Sequence, residues 1–144
     1  MTSRRLSKPA LMWAALLPVV IFFSVSEHSA AQSSSGTGKA TLLDFKLLKG
    51  KWQRPDGGYI LELKQLGKGG ALKAAYFNPR PINVSRAELK RSGDKLTVFV
   101  ELRDVNYPGS RYNLQYVPER DRLTGTYFQA VHGETYNVEF SRVK

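Results

Sequence analysis

Few side chains in this sequence can do chemistry, and their spacing limits what they can do. The 144 residues contain two histidines, His28 and His132, and no cysteine. The absence of cysteine excludes a disulfide framework, a thiolate nucleophile and a cysteine-based zinc site. With so few nitrogen ligands, a transition-metal site is not expected. His132 stands beside Gly133 in a segment that reads as a turn. It has no nucleophile and orienting carboxylate around it in a pattern that would make a base. Paired carboxylates are the remaining hydrolytic machinery. Glu101 and Asp104 are three apart on or near one strand, so alternation sends them to opposite faces. Glu62 and Glu101 share a face, but it is the outward one. These acids read as solvated strand charges. No catalytic residue, metal or cofactor is expected, and the chain is not read as an enzyme.

Tyrosine carries the more informative pattern. Six of the seven tyrosines fall on the apolar face of alternating segments, and Tyr107 stands in a turn. A buried tyrosine hydroxyl needs a partner. Several of them around one interior imply either an internal hydrogen-bond network or a cavity that takes a polar ligand. Tyr59, Tyr76, Tyr112, Tyr116 and Tyr127 are the candidate ligand-binding residues. Arg103 joins them from the polar stretch Leu102–Tyr112, where Arg103, Asp104, Tyr107 and Arg111 could rim a barrel mouth. Pro108-Gly109 at the centre of that stretch suits a type II turn. Its bland alternative is a rigid hairpin with a local ion pair.

The elements that must position these residues are short strands. From about residue 50, apolar residues alternate with polar ones and turn signals recur every 8–12 residues. Eight strands are expected, over 50–54, 59–65, 72–77, 84–90, 96–105, 111–117, 123–130 and 136–142. The inward set runs through Leu61, Leu63, Leu72, Val98, Leu102, Leu114, Leu123, Val138 and Phe140, with the six tyrosines, Tyr136 included. Gly125 inside a strand marks a bulge or a close backbone approach. Residues 41–48 place Leu42, Phe45 and Leu48 for one short helical turn that plugs a barrel end. Closing eight strands on themselves hides both sheet edges and leaves room for side chains or one small ligand. The expected fold class is all-β, an eight-stranded antiparallel up-and-down β-barrel. A two-sheet sandwich is the alternative.

The N-terminus reads as an address. Residues 1–8 carry Arg4, Arg5 and Lys8, residues 9–25 are almost wholly apolar, and Ser29 and Ala31 suit a cleavage site after Ala31. Residues 1–31 are thus expected to be a cleavable signal peptide. An uncleaved anchor is the alternative, but the apolar run is short for a span and broken by Pro18. Ser3-Arg4-Arg5-Leu6-Ser7-Lys8 resembles the twin-arginine export motif, with Ser7 where that motif prefers Phe. Residues 32–40 read as a flexible leader, and 41–144 as a single β-barrel domain. The protein is therefore expected to be exported, periplasmic or secreted, with no stable membrane span after cleavage. Cleavage removes three cations and one acid, Glu27, and lowers the formal charge from +10 to +8. Such a surface attracts polyanions. No basic–aromatic platform for stacking bases is evident, so nucleic acid is not an expected partner.

Gly50-Lys51-Trp52 opens the first long strand, and Arg142 closes the last, in phase with Val138 and Phe140. This arrangement resembles the lipocalin and avidin group, the calycins. The resemblance implies that the Trp52 indole lies across the barrel floor, covered by Arg142, after a tight turn at Gly50. It also implies a small molecule bound in the barrel. The avidin biotin-binding tryptophans have no counterpart here. The runs Arg54–Tyr59 and Ala75–Pro79 are also similar to those of small exported bacterial proteins. The leading functional expectation is an exported barrel that binds a small, partly apolar ligand. The alternative is a filled barrel acting through its surface, as an inhibitor or on an anionic envelope polymer.

Overall fold

A computed structural model describes residues 37–144. The expected signal peptide, and the leader up to residue 36, lie outside the described residues. The first ordered turn is set by Thr41. Its hydroxyl accepts the Asp44 backbone N–H at 3.2 Å, and the Asp44 carboxylate accepts the Thr41 N–H at 2.8 Å. This reciprocal cap starts helix α1 (Leu42–Leu48). Phe45 and Leu48 turn inward and are buried, as is Asp44, which meets Arg91 at 2.6 Å.

Ten strands form one antiparallel sheet: β1 (Thr37–Gly38), β2 (Gly50–Gln53), β3 (Ile60–Leu66), β4 (Leu72–Asn78), β5 (Arg80–Ile82), β6 (Val84–Ser92), β7 (Lys95–Asp104), β8 (Tyr107–Val117), β9 (Arg122–Gln129) and β10 (Glu134–Arg142). Consecutive strands pair from β2 to β5 and from β6 to β10, and β10 pairs with β2. The sheet therefore curls back on itself in up-and-down order. The remaining gap lies between β4 and β6, where a single bridge, Ala71 to Glu88, spans it. The barrel is nearly closed.

The strand count differs from the expected eight for two reasons. Arg80–Ile82, expected as a turn, adds β5 to the edge of β4, where Pro81 is tolerated because an edge strand does not need every N–H. Thr37–Gly38, expected as flexible leader, pairs with Ser92 and Arg91. The β7–β8 turn is also tighter than Pro108-Gly109 suggests. It consists of Val105 and Asn106, with Asn106 at φ 66°, and Pro108 and Gly109 belong to β8 at a register shift.

Alternation places the core as expected for most positions. Leu61, Leu63, Val98, Val100, Leu102, Leu114, Leu123 and Phe140 are all buried. Tyr136 is the exception: it is 44% exposed, because it sits at the end of β10 beyond the packed layers. Gly125 makes no bulge and stays in register with Leu114 and Val138. It marks a close approach instead, since a Cβ there would lie 2.0 Å from the Asn113 carbonyl oxygen. The two barrel ends differ. Helix α1 and the β3–β4, β6–β7 and β8–β9 turns gather at one end; the β2–β3, β4–β6, β7–β8 and β9–β10 connections surround the other.

Candidate ligand-binding mouth

The α1 end is sealed by residues of β2 and β10. The Trp52 indole Nε1–H donates to the Leu48 carbonyl at 2.9 Å, and the Arg142 guanidinium lies 4.2 Å from the centre of the Trp52 ring. Arg142 also donates to Asp121 at 2.7 Å and to the carbonyls of Lys49 and Leu47. It thereby ties β10 to the β8–β9 turn and to the end of α1. Hydrogen bonding from Arg142 holds the Asp121 carboxyl below the usual carboxylate range. Gly50 enters β2 at φ 129°, a conformation that disfavours any side chain.

The opposite end is open. Arg54 follows β2 two residues after Trp52, so the same inward phase carries it into the barrel, where it is only 8% exposed. Its Nε donates to Asp56 at 2.8 Å, and Nη2 makes a second bond to the same carboxylate. Its Nη1 donates to the Tyr112 hydroxyl at 3.2 Å, which is 2.7 Å from the Tyr76 hydroxyl. The guanidinium lies 4.4 Å from the Tyr59 ring centre and 5.9 Å from that of Tyr127. Tyr127 stacks on Tyr112 with centroids 4.5 Å apart. A buried cation is thus held by one carboxylate, one phenol and two aromatic faces.

The electrostatics follow from these contacts. Burial opposes the charge on Arg54, but the bonds to Asp56 and Tyr112 outweigh it and hold its pKa above the ordinary value. The bond from Arg54 holds the Asp56 carboxyl low. Burial pushes the Tyr112 hydroxyl up to about 12, and pushes Tyr76 in the same direction. Both phenols therefore stay neutral at ordinary pH. No buried side-chain polar atom among the described residues lacks a partner.

Above this layer lies a hollow of about 940 Å³ that opens to solvent. Buried Arg54 and Tyr127 line it, together with Asp56, Tyr59, Asn78, Arg80, Asp104 and Tyr107. Asn78 Nδ2–H donates to the Tyr107 hydroxyl at 2.6 Å. Asp104 accepts backbone N–H groups from Asn83 and Val105, which pins the β7–β8 turn to the start of β6. Such a wall offers flat apolar faces and, between them, donors and acceptors in fixed positions.

The residues singled out from sequence separate by depth and face. Tyr59 and Tyr127 line the mouth. Tyr76 and Tyr112 lie beneath it, fully buried, and with Phe140 they fill the barrel's middle. Tyr116 belongs to the sealed end, where its ring and that of Trp52 meet edge to face with centroids 6.1 Å apart and its hydroxyl donates to Asp121. Arg103 points outward, its side chain 63% exposed and bonded to Glu101 at 2.7 Å. Of the four residues expected to rim the mouth, Asp104 and Tyr107 line it and Arg103 and Arg111 do not, while Arg54, Asp56 and Asn78 are lining residues that the sequence reading missed. The signal for Arg54 is its two-residue offset from Trp52, which outweighs its position beside the Pro55-Asp56-Gly57-Gly58 turn. Comparison of the chain with protein-family models, curated proteins and solved structures found no match.

Proposed function

We propose that this protein is a small exported binding protein that takes its ligand at the open mouth of the barrel. The observation that carries this reading is the buried, aromatic-walled Arg54 at the base of an open hollow of about 940 Å³. The hollow lies within the usual range for small-molecule sites, roughly 300–1,000 Å³. Packing of Tyr76, Tyr112 and Phe140 across the middle keeps the ligand at the mouth rather than deep in the barrel. The ligand is partly apolar, to suit the faces of Tyr59 and Tyr127. It also carries an acceptor group, to meet the guanidinium N–H bonds that Asp56 and Tyr112 leave free.

The test is native mass spectrometry of protein purified from its own source, followed by backbone amide shift mapping with whatever is retained. A retained small molecule that moves the amides of Arg54, Tyr59 and Tyr127 supports the reading. A ligand-free mass, together with no mouth response to a broad panel of small molecules, refutes it.

A further inference from the structure

The large apolar side chains exposed among the described residues fall into two groups. Leu42, Leu43 and Leu47 are 68%, 71% and 51% exposed on the outer side of α1, and Val143 is exposed beside Arg142 at the same end. Val105 and Val131 stand on the β7–β8 and β9–β10 turns at the mouth, and Tyr136, near the start of β10, lines the hollow with Val105. A helix that already commits Phe45 and Leu48 to the core gains nothing in water from three further leucines.

Cations surround those leucines. Lys39, Lys46, Lys49, Lys51, Lys68 and Lys95 are exposed around the sealed end, and none of the six forms an ion pair among the described residues. The mouth is different, because its lining sets Arg54 and Arg80 against Asp56 and Asp104. The exposed acids Asp94 and Glu119 also stand at the sealed end but are outnumbered there, so the molecule is polarised along the barrel axis, with leucines and an excess of lysines at one end and balanced charge at the other.

We infer that the sealed end, through the exposed leucines of α1 and the surrounding lysines, docks on an anionic lipid bilayer. Charge complementarity selects this occupant. A bilayer surface offers apolar depth to the leucines and anionic headgroups to the lysines at once. A soluble acidic polymer would satisfy the lysines and leave the leucines in water. A second copy of this chain would set lysines against lysines. Docked this way, the barrel points its mouth away from the lipid.

The chain has no cysteine, so one introduced cysteine gives a unique label. The experiment uses the full chain with Leu43→Cys or Val105→Cys, each carrying a polarity-sensitive dye. Each is mixed with phosphatidylcholine vesicles or with vesicles containing phosphatidylglycerol. The expected result is a blue shift of the Leu43→Cys label alone, on phosphatidylglycerol vesicles alone, that fades as salt is raised. Adding Leu42→Ser and Leu47→Ser to Leu43→Cys should weaken vesicle binding about tenfold or more. Both leucines are exposed, so the urea midpoint should stay in place. Three outcomes overturn the inference: no shift, an equal shift on both vesicle types (insertion of the apolar run 9–25), or a shift at Val105→Cys. Retention on heparin with both labels unshifted on vesicles also overturns it, and gives the lysines to an acidic polymer. These readouts concern the sealed end and stand or fall separately from ligand binding at the mouth.

Discussion

Arg54 is the residue on which the mouth turns. Its counter-ion Asp56 is largely exposed, at 57% of its side chain, so removing the arginine strands no buried charge. Arg54→Met keeps the length and the contact with Tyr59 while deleting the cation. Replacing a buried ionic group by a hydrophobic one of similar size is often close to neutral for stability. The urea midpoint should therefore shift little, while affinity for the mouth ligand falls at least tenfold, measured by titration calorimetry. Tyr112 behaves differently, because its hydroxyl joins Arg54 to Tyr76. Tyr112→Phe leaves both partners short of a bond inside the barrel and should cost about 1–3 kcal/mol in urea unfolding. Burial also raises the Tyr112 pKa from the ordinary value near 10 to about 12. A raised native pKa means the neutral phenol's contribution is fully present below about pH 10 and is lost as pH climbs toward 12. An ultraviolet titration should show Tyr112 and Tyr76 ionising after the exposed tyrosines, together with alkaline unfolding.

At the scale of the element, two seams hold strands to their neighbours. Where β8 meets β9, Gly125 lets the Asn113 carbonyl approach so closely that a methyl group would collide with backbone. Gly125→Ala must part the two strands and should cost on the order of 3 kcal/mol, read by thermal unfolding or by loss of soluble yield. At the sealed end, Arg142 bonds Asp121 and lowers its pKa. The stabilisation from that bond is present above about pH 4 and is lost as acid drives the pH through the lowered native value. Asp121→Asn suits the left-handed backbone there, at φ 47°. It should flatten the acid limb of a stability–pH profile, with the neutral-pH value falling modestly. The eight long strands were legible because alternation of Leu, Val and Tyr reports the inward face directly. β5 was not, because its three residues lie among prolines that read as turn, and its pairing depends on where β4 ends. Depth was equally hidden. A period of two tells which face Tyr116 and Tyr127 share, yet not that one seals the floor while the other lines the mouth. Whether the middle is hollow depends on summed side-chain volumes from eight strands, which no local pattern reports.

Taken whole, the barrel is strong on one side and weak at one gap. β6 to β10 pair along most of their lengths, whereas β10 meets β2 through Ser141–Gln53, Arg142–Trp52 and the Val143 N–H donated to the Lys51 carbonyl, and β4 reaches β6 through one bridge. Local opening follows the density of such bonds and of buried apolar contact. Amides of Val98, Leu114 and Leu123, in the centres of long paired strands, should exchange with solvent only on global unfolding. Those of β1 and β5 should exchange orders of magnitude faster, and the β4–β6 gap should open next, before the β10–β2 junction that Arg142 and Trp52 reinforce. Hydrogen exchange followed by nuclear magnetic resonance reads this order directly. Equal protection of β5 and of the β8 centre would mean that the ring is continuous in solution, so the mouth could not widen at the gap between β4 and β6. Selective protection of β5 on ligand addition would instead show that closing this gap accompanies binding, since Arg80 and Ile82 of β5 line the hollow.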